Sequence, residues 1–469
     1  MNRFLRFSFF AFAILVAIIF ANSCANIIPP TGGPRDSLPP VLVMALPKDS
    51  SLNFKTNKIV LTFDEYVELD NNLNEQLVVS PNPVNMPIIQ GKLKTVTISL
   101  KDSLQPNTTY SINFGNALRD IDEQNVLKNF TYIFSTGNKL DDGTISGNVI
   151  LAETGKTDST LIVVLHKNLS DTAVKKLKPE YFAHLDGKGN FEFKYLPYGE
   201  FNMYVLPNDY SKKYDDSTKV FAFLNKPVSI SESSESITLY AYQQFKEKEK
   251  TTANNSTEQT DTKNNAQQKS VRFTTNQESN RQDLLSPLTF TFTKKIKQFD
   301  SSKIVLFDTN YKPLNNYSFS FDTSFTKLSM QYTWQEQQFF KLIIQKDAVA
   351  DSAGNTLFKN DTLNFQTKKE SEYGSMRLHF NNIDLSTNPV LLLIQNDAIV
   401  QSVVLTSNEW YQRLFRPGEY ELRILFDDNK NGKWDAGNFL LKQQPEKVSL
   451  IPRKLSAKSN WDNEVDINL

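Results

Sequence analysis

The chain has 469 residues, which is long enough for several domains, and it balances 52 Lys and Arg against 52 Asp and Glu. A chain without net charge has no positive field to gather nucleic acid, so we expect no DNA or RNA partner. Aromatic residues make up 12% of the chain and Gly is scarce, a composition that favours half-buried strands. We therefore predict an all-β protein with several domains.

Residues 1–23 have the layout of a secretory signal peptide, with Arg3 and Arg6 before an apolar run that ends in small residues. The run is too short to cross a bilayer comfortably, since a spanning helix needs about 20 apolar residues. Cys24, the only cysteine, follows at once and excludes an intramolecular disulfide. Its position is similar to the lipobox of bacterial lipoproteins, which implies a lipidated Cys24. An ordinary cleavage site is the alternative.

Residues 24–40 contain five prolines and predict an extended stalk after the lipidated cysteine. The segment from Cys24 to Asp36 resembles the start of a family of Bacteroidota lipoproteins with bacterial Ig-like domains. This resemblance implies a lipid anchor in the outer membrane. Surface-exported lipoproteins of that phylum tend to carry acidic residues directly after the cysteine, whereas the first acid here is Asp36. The periplasmic face is therefore favoured, and the surface face stays open.

Short runs that alternate apolar and polar residues, such as 58–63 and 95–100, predict the strands of a β-sandwich in residues 41–138. A strand, an Asp/Asn turn, a Leu and a final strand ending in Phe-x-Thr close this segment. Residues 286–368 repeat that order. The pattern resembles the bacterial Ig-like domain of S-layer and adhesin-like proteins, so we predict two Ig-like domains.

A second pair of segments, residues 143–242 and 374–469, contains a strand, a turn with Pro and Gly, and an alternating aromatic strand. The shared phrase lies at 196–205 and again at 414–424. It resembles the prealbumin-like sandwich of carboxypeptidase regulatory domains. The order of the four segments predicts an internal duplication of an Ig-like and prealbumin-like pair.

Residues 245–283 differ in composition from the rest of the chain, because Lys, Glu, Thr, Asn, Gln and Ser replace almost all apolar residues. Such a segment cannot bury enough surface to fold, so we predict a disordered polar linker. A flexible chain of this length spans roughly 35 Å, and we expect the two halves to reorient freely.

Residues that carry catalytic chemistry are sparse. The three histidines, His166, His184 and His379, have no second His or Cys at metal-ligand spacing. Residues 155–157 read Gly-Lys-Thr, similar to the end of a phosphate-binding loop, but Ile150 stands where the first Gly is required. Neither a nucleophile elbow nor a dinucleotide-binding glycine motif is present. We therefore predict that the protein is not an enzyme.

The strongest local pattern lies near the end of the chain. Oxygen-bearing side chains occupy positions 1, 3, 5 and 9 of a calcium-loop pattern: Asp427, Asn429, Asn431 and Asp435. Gly432 stands at the sixth position, but Asn438 replaces the Glu expected at the twelfth. One interpretation is a Ca²⁺ site in a sandwich loop, and the other is an Asx-rich hairpin without an ion. Both stay open, and no other cofactor is predicted.

These observations favour a lipid-anchored, non-enzymatic envelope protein that acts as a scaffold or protein-interaction module at the outer membrane. Its expected partners are the membrane, through the lipid, and a protein such as an outer-membrane barrel or envelope complex. The alternative is a carbohydrate- or ligand-binding lipoprotein, in which Trp334, Trp410 and Trp434 stack on a glycan. Those tryptophans are equally compatible with core positions.

Overall fold

A computed structural model describes residues 35–231, 235–244 and 269–469. The predicted signal peptide, Cys24 and residues 245–268 of the predicted linker lie outside the described residues. Within the described part of the chain, no helix is long and apolar enough to span a membrane.

The strands of the described residues are grouped here into four segments, named in chain order: A1 (41–138), B1 (143–242), A2 (271–368) and B2 (374–469). They divide into two compact units. One unit contains A1 with residues 180–182 and 194–198, and the other contains the remainder of B1 with A2 and B2. The predicted all-β tandem fold is confirmed.

A1 is built from short strands whose alternate residues are buried; in β2, for example, Ile59, Leu61 and Phe63 enter the core. Its elements are β1 (Leu42–Leu46), β2 (Lys58–Phe63), β3 (Val67–Leu69), α1 (Leu73–Gln76), β4 (Val78–Ser80), β5 (Ile88–Lys92), β6 (Thr95–Ser99), β7 (Thr109–Asn113), β8 (Leu118–Asp120) and β9 (Thr131–Ser135). The sheets have the orders β1-β2-β6-β5, β4-β7-β9 and β3-β8.

B1 contains one large sheet. Its elements are β10 (Gly143–Leu151), β11 (Leu161–His166), α2 (Ala173–Lys176), β12 (Tyr181–His184), β13 (Asn190–Leu196), β14 (Gly199–Pro207), β15 (Val220–Phe223), β16 (Val228–Ile230) and β17 (Ile237–Gln243). The strand order is β12-β11-β14-β15-β17-β10-β13, and β16 also pairs with β14.

A2 repeats the architecture of A1. Its strands are β18 (Phe273–Thr275), β19 (Arg281–Gln282), β20 (Leu288–Phe292), β21 (Ile296–Phe299), β22 (Ile304–Phe307), β23 (Ser318–Phe321), β24 (Lys327–Gln331), β25 (Phe339–Ile344), β26 (Val349–Asp351) and β27 (Asp361–Thr367), with 3₁₀ turns at Ser301–Lys303 and Glu370–Glu372. The sheet β18-β20-β24-β23 matches β1-β2-β6-β5 of A1, and β21-β26 matches β3-β8.

B2 is a sandwich of two sheets, β31-β28-β34 and β30-β29-β32-β33. Its elements are β28 (Gly374–Asn381), a 3₁₀ turn (Leu385–Thr387), β29 (Pro389–Gln395), β30 (Ala398–Val404), β31 (Glu409–Phe415), β32 (Gly418–Phe426), β33 (Lys447–Ala457) and β34 (Asp462–Asn468). In both B domains the first strand pairs in parallel with the last, at Gly147 opposite Ile237 and at Ser375 opposite Asp462.

The Asp/Asn turns predicted in the two A domains are hydrogen-bonded by one carboxylate each. Asp120 accepts the backbone N–H groups of Glu123, Gln124 and Asn125, and Asp351 accepts those of Ala353 and Asn355. The side-chain and backbone N–H groups of Asn355 hold the pKa of Asp351 at about 2. The same kind of carboxylate-closed turn thus occurs in both A domains.

The predicted linker extends too far. Residues 271–283 belong to A2: β18 pairs with β20, placing Phe273 opposite Phe292, and Phe273 packs against the A2 core. A strand at a sheet edge takes its order from main-chain hydrogen bonds and needs few apolar anchors, here Val271 and Phe273. The prediction is therefore wrong for 271–283, and A2 begins before residue 286.

Candidate functional site

Two matching strands in the B domains are covered on both faces. Every residue of β11 is buried, and so is every residue of β29 except the last. A strand with one solvated face would alternate between buried and exposed residues. In β29, Leu391 and Leu393 enter the B2 core, while Val390 and Leu392 belong to a second apolar cluster on the opposite face. The outer face of this sheet is therefore covered as well.

The Asx-rich loop, residues 427–438, follows β32 and is closed by its own hydrogen bonds. The buried Asp427 carboxylate accepts the N–H groups of Asn431 at 3.2 Å and Gly432 at 2.6 Å. Asp435 Oδ2 accepts the side-chain amides of Asn429 at 2.5 Å and Asn431 at 2.6 Å. The structure thus brings together all four residues of the predicted calcium pattern.

Glu446, eight residues beyond the last position of the calcium-loop pattern, completes this loop. Its two carboxylate oxygens accept the N–H groups of Asp428 and Asp435, each at 3.0 Å. Burial raises the pKa of Glu446, and the nearby Asp427 carboxylate raises it further. Sequence spacing could not identify Glu446, because it lies beyond the calcium-loop pattern, directly before β33, where the chain returns to the loop.

The side chains of the Asx-rich loop are arranged as in a hydrogen-bonded turn rather than as ligands around a cation. Asn429 and Asn431 direct their amide nitrogens to Asp435, whereas Ca²⁺ requires oxygen ligands. Both oxygens of Asp427 and of Glu446 accept backbone N–H groups. Among the described residues, no group of three or more His, Cys, Asp or Glu side chains is placed to hold a metal ion. The calcium site stays a prediction, to be tested by titration.

The residue directly after this loop, Phe439, is buried in an aromatic pocket of B1. Its ring centroid lies 5.1 Å from those of Phe221 and Phe223, 5.8 Å from Tyr204 and 6.2 Å from Tyr214. Edge-to-face packing of this kind adds about 0.5–1.5 kcal/mol per pair to the free energy of burial. Phe439 therefore joins B2 to B1.

Polar contacts between B2 and B1 surround the buried Phe439 ring. Lys442 Nζ lies 4.5 Å from the Phe439 ring centroid and 2.5 Å from a carboxylate oxygen of Asp171 in B1. The Gln444 side-chain amide donates to the carbonyl of Phe223 at 3.1 Å. These bonds fix the direction of the turn that carries Phe439.

Residues 155–157, the Gly-Lys-Thr sequence that is not a phosphate-binding loop, lie at the contact between B1 and B2. Gly155 has a φ of +69°, and a Cβ atom there would lie 2.7 Å from the backbone nitrogen of Leu450 in β33. Lys156 forms an ion pair with Glu421 at 2.9 Å, and Val448 N–H donates to the Ala152 carbonyl. The expectation that the halves reorient freely is therefore wrong, since B1 and B2 are in direct contact.

A second joint connects A2 to B2. Arg416 of B2 donates two hydrogen bonds, of 3.1 and 2.8 Å, to the Asp283 carboxylate of A2. Burial alone raises the pKa of Asp283, but the hydrogen bonds from Arg416 and the Leu285 N–H outweigh it and lower the pKa. Tyr373 Oη accepts the N–H of Leu284 beside this pair. Asp283, at the end of the predicted linker, is thus a structural residue.

The three histidines lie in different surroundings. Burial lowers the pKa of His166 to about 4, and burial also lowers the pKa of His184. His379 lies in an open polar groove with Ser407, and its Nε2 is 2.8 Å from Glu464. Ser407 Oγ donates to the carbonyl of Glu409 rather than to His379. The groove therefore lacks the bond between nucleophile and base that a hydrolase needs.

The predicted glycan-stacking tryptophans lie in or against cores. Trp334 is buried in A2, Trp410 packs beside Phe415, and the indole N–H of Trp434 donates to the Glu446 carbonyl at 2.8 Å. Trp334 is thus a core residue, which agrees with the expectation that at least one of the three is. Trp461, which sequence reasoning did not single out, is 61% exposed.

Residues 36–136 match the family model of the bacterial Ig-like domain, which coincides with A1. Similar solved structures include native α2-macroglobulin from Escherichia coli, domains MG0-NIE-MG1, at 12% identity over 42% of this chain and 93% of that chain, with a TM-score of 0.20. The BcpA major pilin subunit of Bacillus cereus matches at 12% identity over 70% of this chain and 99% of that chain, with a TM-score of 0.16.

The N-terminal part of the bacterial S-layer protein SbsC matches at 12% identity over 37% of this chain and 42% of that chain, again with a TM-score of 0.16. No curated protein matches the sequence. The chain is therefore defined here as an all-β protein of tandem sandwiches that contains a bacterial Ig-like domain.

Proposed function

We propose that this chain is a lipid-anchored, non-enzymatic protein of the cell envelope that binds a protein partner at the outer membrane. The anchor is the lipidated Cys24, and the partner is an outer-membrane barrel or an envelope complex. The bacterial Ig-like domain at residues 36–136 supports a binding role over catalysis.

The observation that carries the proposal is the edge strand β30 of B2. It ends the sheet β30-β29-β32-β33, contains no charged residue and no proline, and exposes Ile399, Val400 and Val404. Protein edge strands are normally protected by charges or proline. A bulge interrupts the register between Ile399 and Gln401, which leaves the stretch from Gln401 to Val404 regular. This stretch fits the addition of a partner strand.

The test is affinity purification of the tagged protein from detergent-solubilised envelopes, followed by mass spectrometry. Val404→Lys places a charge on the edge, and Val84→Lys is the matched control, because Val84 is exposed in A1 outside any strand. We expect one stoichiometric partner with the wild type and with Val84→Lys, and its loss with Val404→Lys. Equal recovery with Val404→Lys would exclude β30 as the binding edge.

Cys24→Ser tests the anchor in the same experiment. The variant is expected to leave the membrane fraction and to lack the added mass of the acyl groups. An unchanged mass and an unchanged membrane fraction would contradict lipidation. Recovery of the wild type without any partner would contradict the scaffold role and favour glycan or other ligand binding.

A further inference from the structure

Three loops on one side of the joined B domains carry exposed apolar side chains. We call loops 167–178, 208–219 and 438–443 the Leu–Lys surface. At the tip of the third loop, Leu440 and Leu441 are 77% and 72% exposed. Leu169, Leu177 and Tyr210 in the other two loops are exposed as well. Large apolar side chains grouped in this way mark interaction sites.

Contacts between the loops make them one surface. Lys442 Nζ lies 2.5 Å from Asp171, which joins the third loop to the first. Tyr214 N–H donates to the Val174 carbonyl at 3.0 Å, which joins the second loop to the first. Lys178 Nζ lies 5.2 Å above the Tyr210 ring.

The two leucines at the tip are held in place rather than left loose. Asn438 and Gln443 exchange backbone hydrogen bonds of 2.8 and 2.9 Å across the turn. Asn438 Oδ1 accepts the N–H groups of Leu440 and Leu441 at 3.0 and 3.2 Å. Because Phe439 is buried in B1, the turn presents its neighbours to solvent in a fixed orientation. A preorganised apolar tip loses little conformational entropy on binding.

The charge of this surface is positive although the chain as a whole is neutral. The three loops contain eight lysines and four aspartates, and neither Arg nor Glu. Lys219 already pairs with Asp209 and Asp215. Lys176 and Lys178 are exposed next to Leu177. Leucines surrounded by lysines are typical of segments that lie on anionic bilayers.

We propose that the Leu–Lys surface binds an anionic phospholipid bilayer. Leu440 and Leu441 enter the boundary between headgroups and acyl chains, and the lysines contact the lipid phosphates. Each lysine near such a surface raises binding about fivefold. This contact does not require the lipid on Cys24. It would orient the B domains against the membrane that the anchor reaches from the other end of the chain.

Vesicle sedimentation tests this proposal with the chain from Ala25 onward, which keeps every described residue and lacks Cys24. We expect binding to phosphatidylcholine vesicles that contain about a third phosphatidylglycerol, weaker binding to phosphatidylcholine alone, and loss of binding at high salt. Leu440→Ser with Leu441→Ser should reduce binding about tenfold at unchanged charge. Lys176→Glu with Lys178→Glu should reduce it at least as much.

Val84→Ser with Lys101→Glu is the matched control, because it removes one exposed valine and one exposed lysine in A1. It should bind like the wild type. All substituted side chains are exposed, so circular dichroism spectra and thermal melts should agree between variants. No binding to anionic vesicles at low salt, or equal binding by the serine variant, would overturn the proposal. Since Cys24 is absent, neither result depends on the anchor.

Discussion

The loop after β14 in B1 and the loop after β32 in B2 follow matching strands of the two B domains, yet their contacts differ. In B1, Tyr214 stacks on Phe221 at 3.9 Å and forms part of a pocket. In B2 the loop is longer and carries Phe439, which fills that pocket. Matching positions thus supply part of a pocket in B1 and the ring that fills it in B2, so the two loops are not interchangeable.

Removing the insert should have the largest effect. Phe439→Ala deletes a fully packed ring and should lower the free energy of unfolding by about 3–5 kcal/mol. Urea unfolding measures the change. Phe358→Ala is the control, since Phe358 is 51% exposed in A2 and should cost less than about 0.5 kcal/mol. Equal effects of the two variants would contradict the pocket and its insert.

Substituting Gly155 by Ala, and comparing it with the same change at Gly354, should distinguish the cost of backbone strain from the cost of disturbed packing between B1 and β33. Gly155 and Gly354 both have positive φ, but a Cβ at Gly354 meets nothing within 4 Å. Gly354→Ala should therefore cost about 1 kcal/mol, the price of a left-handed backbone alone. Gly155→Ala should cost about 2 kcal/mol more, because β33 must move away. Thermal unfolding of both variants tests this, and identical melting temperatures would argue against close packing of β33 on B1.

The carboxylates of the two loops should respond to pH in opposite directions. Burial alone raises the pKa of Asp209, but hydrogen bonds from Lys219 and Ser211 outweigh it and lower the pKa. Its contribution, under about 1 kcal/mol for a partly exposed pair, is present above pH 4 and is lost as pH falls further. Burial raises the pKa of Glu446, so its contribution is complete below its ordinary pKa of about 4.3 and is lost as pH rises through the raised value.

Urea midpoints measured between about pH 3 and pH 7 distinguish the two carboxylates. Asp209→Asn should weaken the loss of stability below pH 4. Glu446→Gln should remove the gain on going from pH 7 to about pH 4.5, whatever its effect on overall stability. Matching pH profiles for the two variants would show that the two loops are electrostatically alike.

Calcium should have the smallest effect on these loops. Since the polar groups of the Asx-rich loop already satisfy one another, addition of Ca²⁺ after chelator treatment should leave the melting temperature nearly unchanged. A bound ion at about 100 times its Kd would instead add about 2.7 kcal/mol. A clear rise in melting temperature that is absent in Asp435→Asn would establish the calcium site and contradict this expectation.

Local patterns predicted much of the fold, because alternation and Asx turns depend on neighbours in sequence. The strands of the A domains and the turns at Asp120 and Asp351 follow from such patterns. The contact between B1 and B2 could not be found in this way. Phe439 is followed by two further apolar residues, Leu440 and Leu441, which are exposed, and its partners lie more than 200 residues earlier in the chain. A contact between residues so far apart in the sequence produces no repeating apolar pattern from which it could be predicted.

The polar composition of residues 271–283 led to the wrong prediction of a disordered linker there, because a strand at a sheet edge needs few apolar side chains. Residues 271–283 are polar, yet Val271 and Phe273 alternate toward the A2 core and main-chain bonds order the rest. That alternation was the available signal. For the Asx-rich loop, side-chain spacing located Asp427 and Asp435 but could not identify Glu446, which is contributed by the approach to β33.

The parallel pairing of first and last strands in each B domain sets an order of events during synthesis. In B2, β28 has no parallel neighbour until residues 462–468 have left the ribosome, and in B1, β10 waits for residues 237–243. Such long-range pairing delays folding until the whole domain is available. The residues of the aromatic pocket of B1 are therefore all synthesised well before Phe439, and during that interval Phe221 and Phe223 lack the ring that covers them in the folded chain.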